Sequence, residues 1–317
     1  MLQWIGILAV ALFVLVRGAD LFVAGAKQIG AALGMNSFLI GVLIVGLGTS
    51  LPELASSLAA VMAGTTEIVI ANAVGSNITN ILLIVGILAM LGGPVKINKN
   101  LLKTELPIFF IATVHFVASV YDGVVDRIEA LLLVGTLCAY LWYLLSPANK
   151  AKEEMKDKNG YTGITLKAVV FTILGIVAVL VGAKYTVDMA VNIATGLSIP
   201  IGLVSIGAIA IGTSLPELFV SLRAIKSKEV DLAIGNIFGS NAFNILLVVG
   251  VPGLLAPLVA GEVVMQLGLL VLVAASLILF VNGLARQIQR WEGVMMILFF
   301  CFFLVKLLEF IPNVVAP

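Results

Sequence analysis

Apolar side chains fill most of this chain in runs of about 17–29 residues, and short polar segments separate the runs. A helix of that length crosses the hydrocarbon core of a bilayer, which is about 30 Å thick. The pattern therefore predicts an all-α integral membrane protein with ten transmembrane helices. They are expected at residues 2–22, 37–62, 67–91, 105–121, 127–146, 165–186, 197–225, 230–255, 263–283 and 291–311.

The composition also indicates a membrane protein. Hydrophobic residues make up 61% of the 317 residues and charged residues 11%, against roughly 45–50% and about 25% in soluble domains. A soluble protein this apolar would have no surface to present to water, so the lipid bilayer is the expected environment. Arg17 follows the first apolar run instead of preceding it, which favours a retained helix over a signal peptide. The net charge of +1 favours no acidic partner, and we expect no nucleic acid to bind.

Two sequence motifs occur twice. Gly48-Thr-Ser-Leu-Pro-Glu-Leu54 recurs unchanged at residues 212–218, and nine of the twelve residues at 75–86 recur at 239–250. Both matches keep the same offset in residue number, 164, which indicates an internal repeat. Two residues related by this offset are called counterparts below.

The offset between the motifs spans five predicted helices, and five is an odd number. The second copy of each motif therefore enters the membrane from the opposite side, as in the inverted repeats of secondary transporters. We expect two inverted five-helix repeats with broken central helices, joined by a charged linker. Their bounds are 1–146 with its motif region at 48–86, 147–164 for the linker, and 165–317 with its motif region at 212–250.

The distribution of charge predicts the orientation. Ten spans place both termini on one side, and the loops on the other side carry 14 of the 18 Lys and Arg residues. The loop near Asp122, Asp126 and Glu129, on the side of the termini, is acidic. Because cytoplasmic loops carry the excess of Lys and Arg, both termini are expected outside the cell membrane and the linker in the cytoplasm.

Glu53 and Glu217 lie near the middle of spans that carry few other charges. A carboxylate at that depth is costly and usually marks an ion or proton pathway. No Lys or Arg falls at a comparable depth in the predicted spans, so an ion pair does not explain them. Glu67, Glu105 and Glu229 lie near span ends, where water is expected to solvate them.

A proline precedes each of these two glutamates. Pro52 and Pro216 each remove a helical hydrogen bond in mid-span. We expect both spans to break near the Gly-Thr-Ser-Leu-Pro segment and to free backbone carbonyls around Thr49 and Thr213. Unwound backbone at this depth is tolerated only where it is buried or lines a cavity, and carbonyl oxygens beside a carboxylate suit a hard cation.

The neighbouring spans carry polar residues at intervals of four, which places them on one helix face. Such residues can also join helices through hydrogen bonds. Those deepest in the membrane are the strongest candidates for ion ligands, and those nearest the span entrance are the weakest. From entrance to depth they are Asn72, Ser76 and Asn80 in the first half and Asn236, Ser240 and Asn244 in the second.

These signatures resemble the Ca²⁺/cation antiporter superfamily, in particular its prokaryotic sodium/calcium exchanger branch. The resemblance covers the whole chain and implies that Ca²⁺ and Na⁺ bind between four broken central helices. It implies that Ala210 and the threonines act mainly through backbone carbonyls. The implied ligands are Thr49, Ser50, Glu53, Ser76 and Asn80 in the first half, and Ala210, Thr213, Ser214, Glu217, Ser240 and Asn244 in the second.

The resemblance also bears on K⁺. Members of the family carry Asp or Asn at the place of Asn244. In some branches Asp at this place accompanies K⁺ co-transport. The neutral Asn244 therefore favours an exchanger that does not depend on K⁺.

The expected function is secondary active exchange of Ca²⁺ for Na⁺, by a protein that is not an enzyme, needs no cofactor and functions as a monomer. Two ionised carboxylates balance one Ca²⁺ or two Na⁺, so the two ions compete. A Ca²⁺/H⁺ antiporter, a K⁺-dependent exchanger and a cation channel remain alternatives. An ATP-driven pump is not supported, because no phosphate-binding loop of the Walker type is present.

Overall fold

The computed structural model describes residues 2–92, 95–96, 101–146, 163–197 and 212–310, and helices make up most of them. The α-helices are α1 (Leu2–Ala32), α2 (Ser37–Ile40), α3 (Leu47–Thr49), α4 (Leu51–Met62), α5 (Glu67–Ile78), α6 (Val85–Gly92), α7 (Leu101–Ser119), α8 (Arg127–Leu145), α9 (Leu166–Gly196), α10 (Leu215–Lys226), α11 (Val230–Leu246), α12 (Gly250–Leu255), α13 (Leu269–Ala285) and α14 (Arg290–Leu308). Three π-helical segments, Gly41–Gly46, Thr79–Ile84 and Val264–Gly268, join or precede them.

Eight helical stretches in the described part of the chain are long and apolar enough to cross a membrane. They are Leu2–Ala32, Ser37–Met62, Glu67–Leu91, Arg127–Leu145, Leu166–Ile193, Val230–Leu255, Val264–Ala285 and Arg290–Leu308. Within α7, Glu105–Ser119 is a shorter apolar helix. Many large apolar side chains, Phe13, Trp142 and Trp291 among them, are exposed on the outside of the bundle, where lipid can cover them. The chain is therefore a multi-pass membrane protein.

Two of the predicted segments fall partly or wholly beyond the described residues. Residues 198–211 of the predicted span 197–225, with Ala210 among them, lie outside the described part of the chain. So do residues 147–162, which form most of the predicted linker.

Two helices are longer than the apolar runs that predicted them. α1 and α9 each contain 31 residues, which makes each about 46 Å long at 1.5 Å per residue. The predicted span ends at residue 22, but the apolar sequence continues to Ala26, and the polar side chains on either side of this stretch have partners. Asp20 accepts from Arg223 at 2.6 Å, and Lys27 pairs with Glu229.

α1 and α9 cross in close contact and run antiparallel. A Cβ atom on Gly18 would lie 2.7 Å from the backbone nitrogen of Val179, and one on Gly182 would lie 2.7 Å from Cβ of Leu15. Since residue 18 meets 179 while residue 15 meets 182, numbers rise along one helix as they fall along the other. The repeat exchanges the two contacts, because Gly182 is the counterpart of Gly18 and Val179 is the counterpart of Leu15.

The repeat relates two short antiparallel strand pairs to each other in the same way. β1 (Val95–Lys96) pairs with β4 (Gln287–Ile288), and β2 (Val124–Val125) pairs with β3 (Leu258–Val259). Val95 is opposite Ile288, and Val124 is opposite Val259. Val259 is the counterpart of Val95 and Ile288 is the counterpart of Val124, so the repeat converts one pair into the other.

The turn that follows α4 and the turn that follows α10 lie at opposite ends of the bundle. Ser37, which begins the span Ser37–Met62, donates to the Glu229 carboxylate at 3.1 Å, so the α10–α11 turn lies at the start of that span. The α4–α5 turn, residues 63–66, lies at its other end. At 26 residues the span is about 39 Å long.

α11 occupies the centre of the molecule, and every side chain from Leu232 to Leu246 is buried. Glycines allow it to lie directly against the backbone of the Ser37–Gly46 segment. A Cβ atom on Gly239 would lie 2.8 Å from Cα of Val42, and one on Gly46 would lie 3.1 Å from the backbone nitrogen of Ser240. This close approach places the polar face of α11 beside the helix break that precedes Glu53.

Candidate ion-binding site

Both glutamate-bearing spans are interrupted at a serine. α3 ends at Thr49, Ser50 has φ −85° and ψ 0°, and α4 begins at Leu51 with Pro52 in its first turn. In the second half Ser214 has φ −91° and ψ 3°, and Pro216 lies in the first turn of α10. Proline has no N–H to donate to the carbonyl four residues earlier, so the carbonyls of Gly48 and Gly212 lose that helical partner.

Glu53 and Glu217 lie just after these breaks, in the first turns of α4 and α10, and neither is exposed. A helix N-terminus carries a partial positive charge that favours a carboxylate. In the part of the chain that the structure describes, no Lys or Arg pairs with either carboxylate.

The hydroxyls of Thr49 and Ser240 lie near the Glu217 carboxylate. The oxygens of both glutamates have no hydrogen-bond partner among the described residues. Thr49 comes from the first half and Ser240 from the second. The surroundings of Glu217 are therefore built by both halves of the chain.

The polar residues at intervals of four form one polar ladder in each half, and each half of the molecule contacts the ladder of the other. The ladders are Asn72, Ser76 and Asn80, and Asn236, Ser240 and Asn244. The Thr49 hydroxyl lies 3.2 Å from the Ser240 hydroxyl, and the Thr213 hydroxyl lies 3.1 Å from that of Ser76. The repeat exchanges these two contacts, since Thr213 is the counterpart of Thr49 and Ser240 is that of Ser76. The site is therefore shared between the halves, and neither half encloses it alone.

Asn80 and Asn244 are fully buried beside the broken helices. The Asn80 amide donates to Oδ1 of Asn241 at 3.3 Å, which leaves its own Oδ1 without a donor among the described residues. Both side-chain polar atoms of Asn244 lack such partners there, as do the hydroxyls of Ser50 and Ser214.

The neighbouring spans are interrupted differently from the glutamate-bearing ones. After α5 the chain forms the π-helical segment Thr79–Ile84, which widens the helix at Asn80. After α11 a turn at residues 247–249 separates it from α12. π-helical turns occur frequently at functional sites, and here one replaces the break expected in the third span.

The chemistry of these groups suits a hard cation. Two carboxylates supply the charge, while amide, hydroxyl and backbone carbonyl oxygens supply neutral ligands. Ca²⁺ takes 6–8 oxygen ligands, and buried polar atoms without partners are rare unless a ligand or water satisfies them. The structure joins Thr49 to Ser240 and Thr213 to Ser76 and buries the two glutamates, Asn80, Asn244, Ser50 and Ser214. Ala210 lies outside the described part of the chain.

Sequence reasoning missed three participants. The Asn77 amide donates to the carbonyl of Asn241 at 3.0 Å, and these two asparagines are counterparts in the repeated motifs. The Gly46 carbonyl accepts from Thr49 at 3.3 Å and from Ser240 at 3.5 Å. The signal for Gly46 was present in the repeat, because its counterpart is Ala210.

Glu105 contradicts the expectation that water solvates it. It is only 6% exposed and accepts a hydrogen bond from the Tyr140 hydroxyl at 3.3 Å, because α8 packs over α7 at this point. Glu67 is exposed as expected, and Glu229 is half-buried against Lys27. Proximity to a span end was therefore a poor guide to solvation for Glu105.

The sequence is similar to a known family and to known membrane proteins. The family model described as "Sodium/calcium exchanger protein" matches residues 3–146 and 167–308. The sodium/calcium exchanger MaX1 of Methanosarcina acetivorans is 35% identical, over 95% of this chain and 97% of that protein. The inner membrane protein YrbG of Escherichia coli is 34% identical, over 81% of each chain.

A solved structure shares the fold. The sodium-calcium exchanger NCX_Mj, soaked with Na⁺ and Sr²⁺, superimposes with a TM-score of 0.82 at 31% identity. The match covers 96% of this chain and 99% of that one. With the family model matching most of the sequence and these relatives spanning nearly all of it, the chain belongs to the sodium/calcium exchanger family.

Proposed function

We propose that this protein exchanges Ca²⁺ for Na⁺ across the membrane by alternating access, with the ions bound between Glu53 and Glu217. One observation carries the proposal: two fully buried carboxylates have no basic or hydrogen-bonding partner among the described residues. Each follows by four residues a threonine whose hydroxyl contacts the other half of the chain. A buried charge without compensation is very costly. Bound cations supply the compensation that the protein itself does not.

The proposed ligands are the two glutamates and the neutral oxygens around them. Buried side-chain oxygens without donors support Ser50, Ser214, Asn80 and Asn244. The hydroxyl contacts between the halves support the remaining four described residues, and Ala210 enters as the counterpart of Gly46. These remaining residues are Thr49, Thr213, Ser76 and Ser240.

Charge balance accounts for exchange. Two ionised glutamates carry a charge of −2, which one Ca²⁺ or two Na⁺ neutralise. Because the same carboxylates serve both ions, Ca²⁺ and Na⁺ compete for the site. A site without ions would carry two bare charges through a low-dielectric barrier, so the transition between the two access states is favoured only when ions are bound. Competition together with this restriction couples the two fluxes.

We propose ten transmembrane helices in two inverted repeats, residues 1–146 and 165–317, with the linker 147–164 in the cytoplasm and both termini outside. The antiparallel crossing of α1 and α9, the exchange of the two strand pairs and the opposed turns after α4 and α10 support the inversion. The excess of Lys and Arg in alternate loops supports the orientation.

The protein is proposed to function as a monomer, because the two halves of one chain contact each other across the proposed site. In an inverted repeat each half can open the site to its own side, and the two access states are then related by exchange of the halves. The glycines at the α1–α9 crossing permit the two helices to slide together past the central helices.

Transport by the purified protein in liposomes tests the proposed function. We expect an imposed Na⁺ gradient to drive ⁴⁵Ca²⁺ uptake at fixed pH, with saturation in both ions. A K⁺ gradient or a pH gradient of equal size should drive little uptake. Uptake that follows the pH gradient and ignores Na⁺ would contradict Na⁺ coupling, and conductance at channel rates would contradict exchange.

Cysteine labelling tests the orientation. In a variant with Cys138→Ala and Cys301→Ala, a cysteine introduced at residues 150–158 should be protected from a membrane-impermeant reagent in intact cells. One introduced next to Pro317 should react. The reverse pattern would show that the orientation is wrong.

A further inference from the structure

Asn236, the first residue of the second polar ladder, makes three hydrogen bonds. The Asn236 amide donates to the Ser221 hydroxyl at 2.8 Å and to the Glu217 carbonyl at 3.4 Å, and its Oδ1 accepts from the Thr49 hydroxyl at 3.3 Å. Asn236 and Ser221 are not exposed at all. This one side chain therefore joins α11, the helix of Glu217 and the break in the first half.

The counterpart of Asn236 in the first half lacks these bonds. Asn72 donates to the Ser56 hydroxyl at 3.5 Å, the one side-chain hydrogen bond that it makes within the described residues, and it is 8% exposed. Ser57, the counterpart of Ser221, is buried, and its hydroxyl has no partner in the same part of the chain. The asparagine–serine contact is thus made in the second half, between Asn236 and Ser221, and is absent in the first half, between Asn72 and Ser57.

The two asparagines lie on opposite sides of the carboxylates. Asn236 is less than two turns into α11 from the turn at 227–229, and Asn72 is less than two turns into α5 from the turn at 63–66. Since these turns lie at opposite ends of the span Ser37–Met62, the closed contact faces one side of the membrane and the open contact faces the other.

We propose that Asn236 and Asn72 are positioning residues that close the ion site alternately, each from its own face of the membrane. The structure has the Asn236 contact made and the Asn72 contact broken. Exchange of the halves then predicts the other access state, in which Asn72 binds Ser57 and the Glu53 carbonyl while Asn236 is released. This inference rests on the proposed alternating access and identifies groups that set its equilibrium.

A sequence difference accounts for where Asn72 now points. Ser56 donates to the Glu53 carbonyl at 3.0 Å and also accepts from Asn72. Ser56 thereby occupies the Glu53 carbonyl, which is the counterpart of the Glu217 carbonyl to which Asn236 donates. The counterpart of Ser56 in the second half is Val220, and valine cannot compete. Ser56 therefore stabilises the open form of the Asn72 contact.

The experiment measures the half-saturating Ca²⁺ concentration separately at the two faces of oriented vesicles that carry the full chain. The apparent affinity at a face is reduced by the fraction of molecules not open to it. The ratio of the Asn236-face value to the Asn72-face value therefore reports the equilibrium between the two states. A defect in folding alone lowers maximal flux and leaves this ratio unchanged.

Three variants should move the ratio in defined directions. Asn236→Ala should lower it about tenfold, the effect of losing one or two buried hydrogen bonds. Asn72→Ala should raise it, because it weakens the opposite state. Ser56→Val copies the second half into the first and should lower it, by releasing Asn72 to bind Ser57. This last variant gains a contact, so damage to the fold cannot imitate it.

The outcomes separate this inference from the proposed function. Absence of Na⁺-driven Ca²⁺ uptake in the unmodified protein would refute the exchanger function. If exchange is normal, two results would overturn the role of the asparagines. The ratio could move the same way in Asn236→Ala and Asn72→Ala, or it could stay within about twofold in all three variants. If Asn236→Ala does not fold, Ser221→Ala removes the acceptor of the shortest Asn236 hydrogen bond, and an unchanged ratio there would overturn it equally.

Discussion

The half-site around Glu53 and the half-site around Glu217 have identical sequences from glycine to leucine, and their backbones agree. Ser50 has φ −85° and ψ 0°, and Ser214 has nearly the same values, φ −91° and ψ 3°. Their surroundings differ: Asn236 is fully bonded at one half-site, whereas Asn72 makes one long bond at the other. Local sequence therefore sets the shape of each half-site, and the contacts made by the next helix decide which is closed.

Charged residues outside the repeated motifs reinforce this difference. Asp20 and Arg223 join α1 to the end of α10, and Lys27 joins α1 to Glu229, all near the closed end. The counterpart of Arg223 is Ala59, so no matching ion pair forms at the open end. Partly exposed pairs contribute only about 0–1 kcal/mol each, but they add to one state only.

Removing the charge of either carboxylate should have the largest effect on transport at the two half-sites. Glu53→Gln and Glu217→Gln keep the shape and one oxygen but leave a site of charge −1, which cannot neutralise Ca²⁺ in a dry cavity. Each variant should lose Na⁺-driven ⁴⁵Ca²⁺ uptake by at least about 100-fold, on the scale of the several kcal/mol that an unbalanced buried charge costs.

The solvated Glu67 provides the matched control for these variants, since it is exposed. Glu67→Gln should keep most of the flux, normalised to folded protein in the membrane. Near-normal transport in either midplane variant would show that the paired-carboxylate site is wrong. A large difference between the two would show that the half-sites are not equivalent.

Equivalent glycines at the α1–α9 crossing should respond alike. A Cβ atom on Gly18 or Gly182 would meet backbone or Cβ atoms at 2.7 Å, where no flexible side-chain end can move aside. Gly18→Ala and Gly182→Ala should each destabilise the protein by about 1–3 kcal/mol, the usual cost of overpacking. Thermal unfolding in detergent measures this effect.

Gly135 is the control for the crossing, because it is exposed on α8 with nothing within 4 Å of a Cβ atom. Gly135→Ala should leave the unfolding temperature unchanged or raise it, since alanine favours helix by up to about 1 kcal/mol. If Gly18→Ala behaves like Gly135→Ala, the close antiparallel crossing is incorrect.

The two threonines should differ, although their local sequences are the same. The Thr49 hydroxyl donates to Asn236 as well as contacting Ser240. Thr213 contacts Ser76, and within the described residues it makes no hydrogen bond to Asn72, the counterpart of Asn236. Thr49→Val should therefore raise the half-saturating Ca²⁺ concentration about tenfold and Thr213→Val about threefold, at roughly 0.5–1.5 kcal/mol for each hydrogen bond.

Equal effects of the two threonine variants would indicate that backbone carbonyls, which valine retains, supply all the binding. In that case the difference between the half-sites would lie in the asparagines alone. A larger effect of Thr213→Val would contradict the hydrogen bonding described here.

Much of this architecture could be predicted from the sequence. Apolar run length predicted the eight spans that the described residues contain, and the constant offset between the repeated motifs predicted Glu53 and Glu217 as equivalent positions. Hydrophobicity could not give the true length of α1, because the helix continues to Ala32 past Lys27, whose partner Glu229 is far along the chain. The burial of Glu105 was missed for the same reason, since only tertiary packing brings Tyr140 to it.

The ladder residues show the same limit at finer scale. A spacing of four predicts that Asn72, Ser76 and Asn80 share a face, but not which helix that face meets. Asn236 was the weakest candidate in its ladder because it lies nearest the entrance. Its bonds to Ser221 and Thr49 depend on two other elements, and no local pattern encodes them.

The smallest expected effect concerns K⁺ and compares Asn244 with Asn80. Neither polar atom of Asn244 has a partner among the described residues, so Asn244→Asp adds a charge without losing a hydrogen bond and should let one more monovalent cation bind. Asn80 donates to Asn241 at 3.3 Å, so Asn80→Asp sets two acceptors against each other and should weaken Ca²⁺ binding. Ca²⁺ uptake driven by Na⁺ should be equal in K⁺ and in choline media for the unmodified protein, several-fold higher in K⁺ for Asn244→Asp, and lower in both media for Asn80→Asp. Strict K⁺ dependence of the unmodified protein would show that a neutral residue at 244 does not determine the coupling ion.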